Sequence, residues 1–191
     1  MPSKQVPPTQ TTPKQAPVKP LPAAASQDQL SPNQASSDEL SLEQLSFSNK
    51  FYALGDSFYS VVAPAPLKKP FWLHINTDVM ASLGLTLAGL KTPLNLDIFS
   101  GTATLADQIP IATVYSGHQF GGYTACLGDG RAMLIAQINT ADGVFDLQLK
   151  GAGPTPYSRR ADGRAVLRSS IREYLASEAM HQLGIATSRA L

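Results

Sequence analysis

The chain has 191 residues, with 15 basic against 14 acidic side chains and a net charge of +1. A protein that coats nucleic acid or an anionic membrane carries a marked excess of positive charge, so we expect neither as a partner. A single cysteine, Cys126, excludes an internal disulfide and any cysteine-rich metal site. No run approaches the roughly 18–20 apolar residues of a membrane span, and we predict a soluble, cytoplasmic protein.

Residues 1–46 have the composition of a disordered tail. They hold 8 of the 15 prolines and 7 glutamines, but no aromatic residue and no arginine. Such a segment cannot bury enough apolar surface to offset the entropy lost on ordering. We predict a short helix at its end, over Ser41–Leu45, and place one ordered domain at 47–191, beginning with Phe47.

The first part of this domain shows local signals for three elements. The run Ala63–Pro70 is extended or turn-like, because each proline disfavours a helical conformation of the residue before it. Phe71–Ile75 is predicted to form a short strand. A helix is predicted to follow, with Asn76 as part of its N-terminal cap and Gly84 as its stop.

The second half is predicted to contain a three-stranded antiparallel meander with glycine turns. Its strands are Tyr123–Leu127, Arg131–Ile138 and Val144–Lys150, and the last alternates apolar and polar side chains. An earlier strand is predicted at Ile111–Tyr115. The turn between the first two strands of the meander is Gly128-Asp129-Gly130.

A long helix is predicted after the meander. The loop Gly151–Gly163 leads into it, it runs over Arg164–Leu183, and Gly184 stops it. Ile185–Leu191 is predicted to begin a further strand. The elements together predict an α+β fold, in which a small antiparallel sheet is crossed by one long helix.

The order of these elements is that of a protein-kinase N-lobe. In such a lobe a glycine-rich turn covers the nucleotide phosphates, a strand lysine binds them, and a helix glutamate orients the lysine. Lys150 ends the third strand and Glu173 lies 23 residues further on, so we predict that they pair beside a nucleotide. Each feature taken alone has a plainer explanation: a hairpin turn, a solvated lysine and a surface glutamate.

Arginines supply a second signal for an anion. Arg159 and Arg160 lie in the loop before the helix, beside Asp162-Gly163. Backbone amides and the helix dipole favour a negative charge there, which predicts a phosphate near this loop. The helix arginines at 164, 168 and 172 form one stripe, which is either solvated or faces a partner.

Longer motifs closely resemble one family, SelO (YdiU). The resemblance lies in Tyr115–Gly121, Leu127–Ala132 and Leu147–Arg159, and it continues through Asp162–Tyr174 and the earlier Phe51–Tyr59. It covers about residues 47–191. It implies a protein-kinase-like fold that binds ATP in a flipped orientation and transfers AMP to Ser, Thr or Tyr hydroxyls of proteins, using Mg²⁺ or Mn²⁺.

The resemblance also implies roles for particular residues. Lys150 would bind phosphate and Glu173 would be its helix partner, so these two are the candidate catalytic residues. The remaining implied nucleotide contacts are Gly128, Gly130, Arg131, Asp162 and Gly163.

The family is considerably longer than this chain. The second lobe, with the general base and the metal ligands, is expected beyond Leu191, and we predict no metal ligand within the chain. We therefore expect the chain to be a monomer that binds ATP without catalysing transfer on its own. A non-catalytic nucleotide-binding or interaction fragment and a true protein kinase are the alternatives.

Overall fold

A computed structural model describes residues 40–191. The greater part of the predicted tail, 1–39, lies outside these described residues. The described chain combines antiparallel sheets with short helices and one C-terminal helix, which confirms the predicted α+β class.

Packing begins before Phe47, the predicted start of the ordered domain. The short helix predicted at Ser41–Leu45 is a single 3-10 turn, Leu42–Gln44, whose Leu42 side chain is 0% exposed. Ser41 and Gln44 stabilise this turn as a capping box. The packed region therefore extends back at least to Leu42, because the Leu42 side chain is buried in the core although its neighbours in the sequence are mostly polar.

The main sheet is built around its longest strand. Its strands are β1 (Ser46–Ser48), β2 (Tyr59–Val61), β3 (Ile111–Thr113), a long strand at Ala132–Thr140 and its neighbour at Gly143–Lys150. The long strand pairs with Gly143–Lys150 along one edge and with β1 and β3 along the other, and β2 pairs with β3. All of these pairs are antiparallel.

The long strand is buried on both faces over most of its length. Its first seven residues are all buried. A bulge between Leu134 and Ala136 inserts one unpaired residue. Leu134 lies in a small cluster with Tyr59 and Ile111, whereas Met133 and Ile135 lie in the main core.

Three short helices pack against the long strand and contribute to the main core: α1 (Thr77–Ser82), α2 (Leu87–Leu90) and α3 (Pro93–Phe99). Asn76 caps α1, as predicted, by accepting hydrogen bonds from the backbone N–H groups of residues 78 and 79. Threonine side chains cap α2 and α3 in the same way. Caps of this kind depend only on neighbouring residues, which explains why the first of them is visible in the sequence.

Two predicted strands are not formed. Phe71–Ile75 has no regular secondary structure and no strand partner: Trp72 and Ile75 pack on the main core, and Phe71 is 75% exposed. Ile185–Leu191 is irregular. Both segments have strand composition, but a strand also needs a neighbour with a free edge, and neither segment meets one.

The predicted meander is wrong in its first strand. Gly122–Thr124 (β5) pairs instead with β4 (Gly117–Gln119) in a separate two-stranded sheet. The hairpin that joins β6 (Ala132–Thr140) and β7 (Gly143–Lys150) is confirmed. The predicted turn Gly128-Asp129-Gly130 does not join paired strands, because β5 does not pair with β6; Asp129 N instead donates a hydrogen bond to the Thr113 carbonyl of β3.

The C-terminal helix, α4 (Leu167–Gln182), begins three residues later than predicted and ends as expected before Gly184, whose φ is +74°. None of its residues is buried. It is held by side chains on one face: Tyr174 hydrogen-bonds His74 at 3.0 Å, and Glu178 pairs with Arg189.

No helix between residues 40 and 191 is long and apolar enough to cross a bilayer.

Candidate functional site

One end of the main sheet brings two cationic side chains together. Ala132, the first residue of β6, is the register partner of Lys150, the last residue of β7. Arg131 directly precedes β6, and its carbonyl accepts a hydrogen bond of 2.7 Å from Gly151 N. Arg131 and Lys150 therefore lie on neighbouring strands at the same sheet end, and both side chains are exposed.

The glycine loop (Gly128–Arg131) is held against β3. The Asp129 carboxylate accepts hydrogen bonds from Thr113 Oγ1 at 2.6 Å and from Thr113 N at 3.2 Å. Gly128 has a φ of +65°, in the left-handed region that favours glycine. Asp129 contributes also to raising the pKa of the Tyr115 hydroxyl, although burial of the ring is the larger cause.

A turn that sequence reasoning missed holds this loop from the other side. In this clamp turn (Thr155–Ser158), the hydroxyl of Thr155 donates to the Asp129 carbonyl and that of Ser158 donates to the Gly130 carbonyl. The ring of Tyr157 lies so close to Gly128 that a Cβ atom there would overlap it. The available signal was the hydroxyl-rich run Pro-Thr-Pro-Tyr-Ser, which drew attention only as part of a family motif.

Asp162 and Gly163 lie beside the residues that follow Lys150. Gly153 N donates to the Gly163 carbonyl at 3.3 Å, and an isolated antiparallel bridge joins Ala152 to Arg164. A Cβ on Gly163 would collide with the Gly153 carbonyl, so only glycine allows this approach. The Asp162 carboxylate accepts a hydrogen bond of 2.9 Å from Arg164 N.

Six of the seven predicted site residues are therefore gathered at one end of the sheet. They lie on the glycine loop, at the end of β7 or in the loop that follows it: Gly128, Gly130, Arg131, Lys150, Asp162 and Gly163.

Glu173 is not among them. In the described part of the chain, the one ion pair within 4.0 Å joins Arg189 to Glu178 at 2.6 Å, so the predicted Lys150–Glu173 pair is not formed. The reason is the face by which α4 attaches. Tyr174 and Glu178 share one face, and Glu173 is offset from Tyr174 by about 100° around the helix, where it is exposed.

The predicted anion site beside Asp162-Gly163 lacks one of its expected supports. Because α4 begins at Leu167, the helix dipole, which acts within about one turn, is centred further along the chain. Arg159 and Arg160 are nevertheless exposed in this loop, and Arg159 donates to Gln119 Oε1 at 2.7 Å. The positive charge available to an anion at this loop therefore comes from arginine side chains and not from the helix dipole.

This donor set suits a phosphate group better than a metal ion. Exposed guanidinium and ammonium groups neutralise phosphate oxygens, and a glycine loop allows a ligand to approach the backbone closely. Within residues 40–191, no group of three or more His, Cys, Asp or Glu side chains is placed to hold a metal ion. The described residues thus fit the phosphates of a nucleotide and do not provide a metal cage.

A family model described as "Protein adenylyltransferase SelO" matches residues 41–191. The match begins six residues before Phe47, in agreement with the burial of Leu42. It includes the whole of the sheet end and the loop that follows β7.

The chain is also similar to bacterial proteins named "Protein nucleotidyltransferase YdiU". The protein of that name from Ralstonia nicotianae is 56% identical over 142 residues, which are 74% of this chain and 27% of the relative. Relatives of the same name from Bordetella avium and Pseudomonas putida strain W619 are 54% and 55% identical, each over 76% of this chain and 30% of the relative. The chain spans less than a third of the length of these curated relatives.

Proposed function

The chain belongs to the SelO protein adenylyltransferase family, and we propose that it forms the ATP-binding part of a protein that transfers AMP to Ser, Thr or Tyr hydroxyls of other proteins. The observation that carries this proposal is the gathering of the glycine loop, Lys150, Asp162 and Gly163 at one sheet end. We propose further that this part of the chain is a kinase-like N-lobe; ATP as the nucleotide and Mg²⁺ or Mn²⁺ as the accompanying ion are what the family resemblance implies.

In this proposal the residues of the chain bind and orient the nucleotide. The Lys150 ammonium and the Arg131 guanidinium neutralise phosphate oxygens, and the glycine loop brings backbone close to them. Asp162 is an acceptor, so it faces a donor group of the nucleotide, such as a sugar hydroxyl, rather than a phosphate.

The transfer itself exchanges a phosphoanhydride bond of ATP for a phosphoester bond to the substrate. The oxygen of a substrate hydroxyl attacks the α-phosphorus of ATP, the bond to the β-phosphate breaks, and pyrophosphate leaves. The hydroxyl proton must pass to a base. The described residues contribute positive charge at the phosphates and take no part in that proton transfer.

Glu173 remains the proposed partner of Lys150 when a nucleotide is bound. The two side chains do not pair in the structure, so this role requires α4 to present Glu173 differently in that state. If it does so, Glu173→Gln should weaken ATP binding and Glu178→Gln should not.

The first test measures ATP binding by the 191-residue chain in a calorimetric titration. Lys150→Ala should weaken binding about tenfold, equivalent to ~1.4 kcal/mol, because a charge-assisted hydrogen bond to phosphate is lost. Lys91→Ala, which removes an exposed lysine after α2, is the matched control and should bind as the parent does. Equal affinity of the Lys150 and Lys91 variants would contradict the site.

The second test identifies the transferred group. In the complete, longer protein, label on the α-phosphate should pass to protein substrates, and Lys150→Ala should abolish this transfer. Label passing from the γ-phosphate would instead indicate a protein kinase. A non-catalytic nucleotide-binding or interaction role is the second candidate; ATP binding with no transfer of either label in the complete protein would establish it.

A further inference from the structure

The clamp turn holds the glycine loop by three separate contacts, and its central residue is Tyr157. We infer that Tyr157 is a positioning residue: it holds the glycine loop in the conformation that faces the nucleotide. This inference rests on the proposed function. It concerns a residue to which neither the sequence motifs nor the family match gave a role.

Close packing against Tyr157 accounts for both loop glycines. A Cβ on Gly128 would overlap the tyrosine ring, and a Cβ on Gly130 would lie 3.0 Å from the Tyr157 carbonyl oxygen. The protein itself therefore excludes a side chain at Gly128 and disfavours one at Gly130, independently of any ligand. The glycine loop packs directly against the Tyr157 ring, so the position of the ring determines the position of the loop.

The other end of the tyrosine is tied to the sheet. Its hydroxyl shares a hydrogen bond of 2.7 Å with Ser60 Oγ of β2. Strand β2 pairs with β3, and Thr113 of β3 holds Asp129. The glycine loop is thus connected to the sheet in two ways. Tyr157 connects it to β2, and Asp129 connects it to β3, the strand that pairs with β2.

The clamp turn itself is fixed by its hydroxyl groups. Thr155 N donates to Ser158 Oγ at 2.7 Å, and Tyr157 N donates to Thr155 Oγ1 at 3.1 Å. The same two hydroxyls donate to the glycine-loop carbonyls, so turn and loop share one hydrogen-bond network. A shared network of this kind restricts the loop before any ligand arrives, which lowers the entropy that binding must remove.

Removal of the ring should free the loop while leaving the rest of the fold in place. Tyr157→Ala leaves a void over Gly128 and releases the contact with Ser60. We expect ATP affinity to fall about tenfold, because the phosphates then meet a loop that must first be ordered. Tyr157→Phe keeps the ring and loses one hydrogen bond, so it should restore affinity to within about threefold of the parent.

The test combines calorimetric ATP titration with amide hydrogen exchange on the full 191-residue chain. Phe71→Ala, which removes an exposed aromatic ring, is the control and should match the parent. In Tyr157→Ala, exchange should accelerate at residues 128–131 but not in α4. This local acceleration, with recovery in Tyr157→Phe, is what a general loss of stability would not produce.

Thr155→Val is the second variant, in case Tyr157→Ala does not fold. It removes the hydroxyl that donates to the Asp129 carbonyl at nearly constant volume, and it should weaken ATP binding and accelerate loop exchange. Unchanged affinity in the folded variants would overturn the inference while leaving the nucleotide site intact. If the parent chain binds no ATP, the proposed function fails for this chain, and unchanged loop exchange in the variants would then overturn the holding role of Tyr157 as well.

Discussion

The sheet end and helix α4 are attached to the protein in different ways. At the sheet end, neighbouring loops are joined by backbone pairing, hydroxyl-to-carbonyl hydrogen bonds and glycines that permit close contact. Helix α4 has no buried residue, and apolar side chains such as Leu175, 62% exposed, face outward. The two predicted catalytic residues are divided between these regions, Lys150 on the first and Glu173 on the second. Contacts within this chain therefore fix the surroundings of Lys150 far more strongly than those of Glu173.

The largest expected effect tests the close packing of the sheet end. Gly163→Ala places a Cβ on the Gly153 carbonyl in a left-handed conformation, so we expect a loss of about 4 kcal/mol in the free energy of unfolding. Gly184→Ala, after α4, is the matched control. Its φ is also positive, but the added Cβ would meet no neighbouring group within 4 Å, so the free energy of unfolding should fall by only about 1–2 kcal/mol. Urea unfolding measures both, and equal losses would refute the packing argument.

A pair of leucines compares the core with α4 directly. Leu42→Ala removes a fully buried side chain and should lower the free energy of unfolding by about 2–5 kcal/mol. Leu175→Ala, on the exposed side of α4, should change it by no more than about 0.5 kcal/mol. A large loss in the Leu175 variant would mean that α4 is covered in solution. Thermal unfolding at several protein concentrations would then show whether a second copy provides the cover.

The smallest effect concerns the ion pair that holds the end of α4. Hydrogen bonds from Arg189 lower the pKa of Glu178 from 4.5 to about 2. A carboxyl whose pKa is depressed by folding stabilises the folded state above its ordinary pKa, and this contribution disappears as the pH falls from 4.5 toward 2. Glu178→Gln should therefore melt at a lower temperature than the parent at pH 7. The loss in the free energy of unfolding should be that of an ion pair near the surface, under about 1 kcal/mol.

The comparison of melting temperatures at pH 7 and pH 2 checks this sign. The difference between parent and Glu178→Gln should shrink at the lower pH, because the parent carboxyl, with a pKa of about 2, is then partly protonated. Asp142→Asn, in the turn between β6 and β7, is the control and should show no such pH-dependent difference from the parent. If the difference in melting temperature between the parent and Glu178→Gln were the same at both pH values, the stabilisation by Glu178 would not depend on the charge of its carboxylate.

Local features were predicted well because their causes lie within a few residues. The Asn76 cap, the β6–β7 hairpin and the end of α4 before Gly184 each follow from hydrogen bonds or backbone angles of neighbouring residues. The predicted strands at Phe71–Ile75 and Tyr123–Leu127 depended on partners that composition does not specify. The first found no partner, and part of the second paired in a separate hairpin.

The candidate site divides in the same way. Six of its residues were identified from motifs, and the fold gathers them at one end of the sheet; their contacts with a nucleotide remain predictions. The Lys150–Glu173 pair was inferred from the order of elements, and it is not formed in this structure, where Tyr174 and Glu178 make the contacts of α4 instead. Tyr157 went unassigned, because its importance lies in contacts with Gly128 and Ser60, which are distant in sequence.

By itself, the sequence determined the α+β class and the family, and it supplied the motif residues that are predicted to contact a nucleotide. These depend on composition, local backbone preferences and motifs that can be read along the chain. Tertiary structure alone decided which strands pair, which face of α4 is attached and what holds the glycine loop. Each of these depends on the free energy of contacts between segments far apart in the chain, and such contacts exist only once the fold has formed.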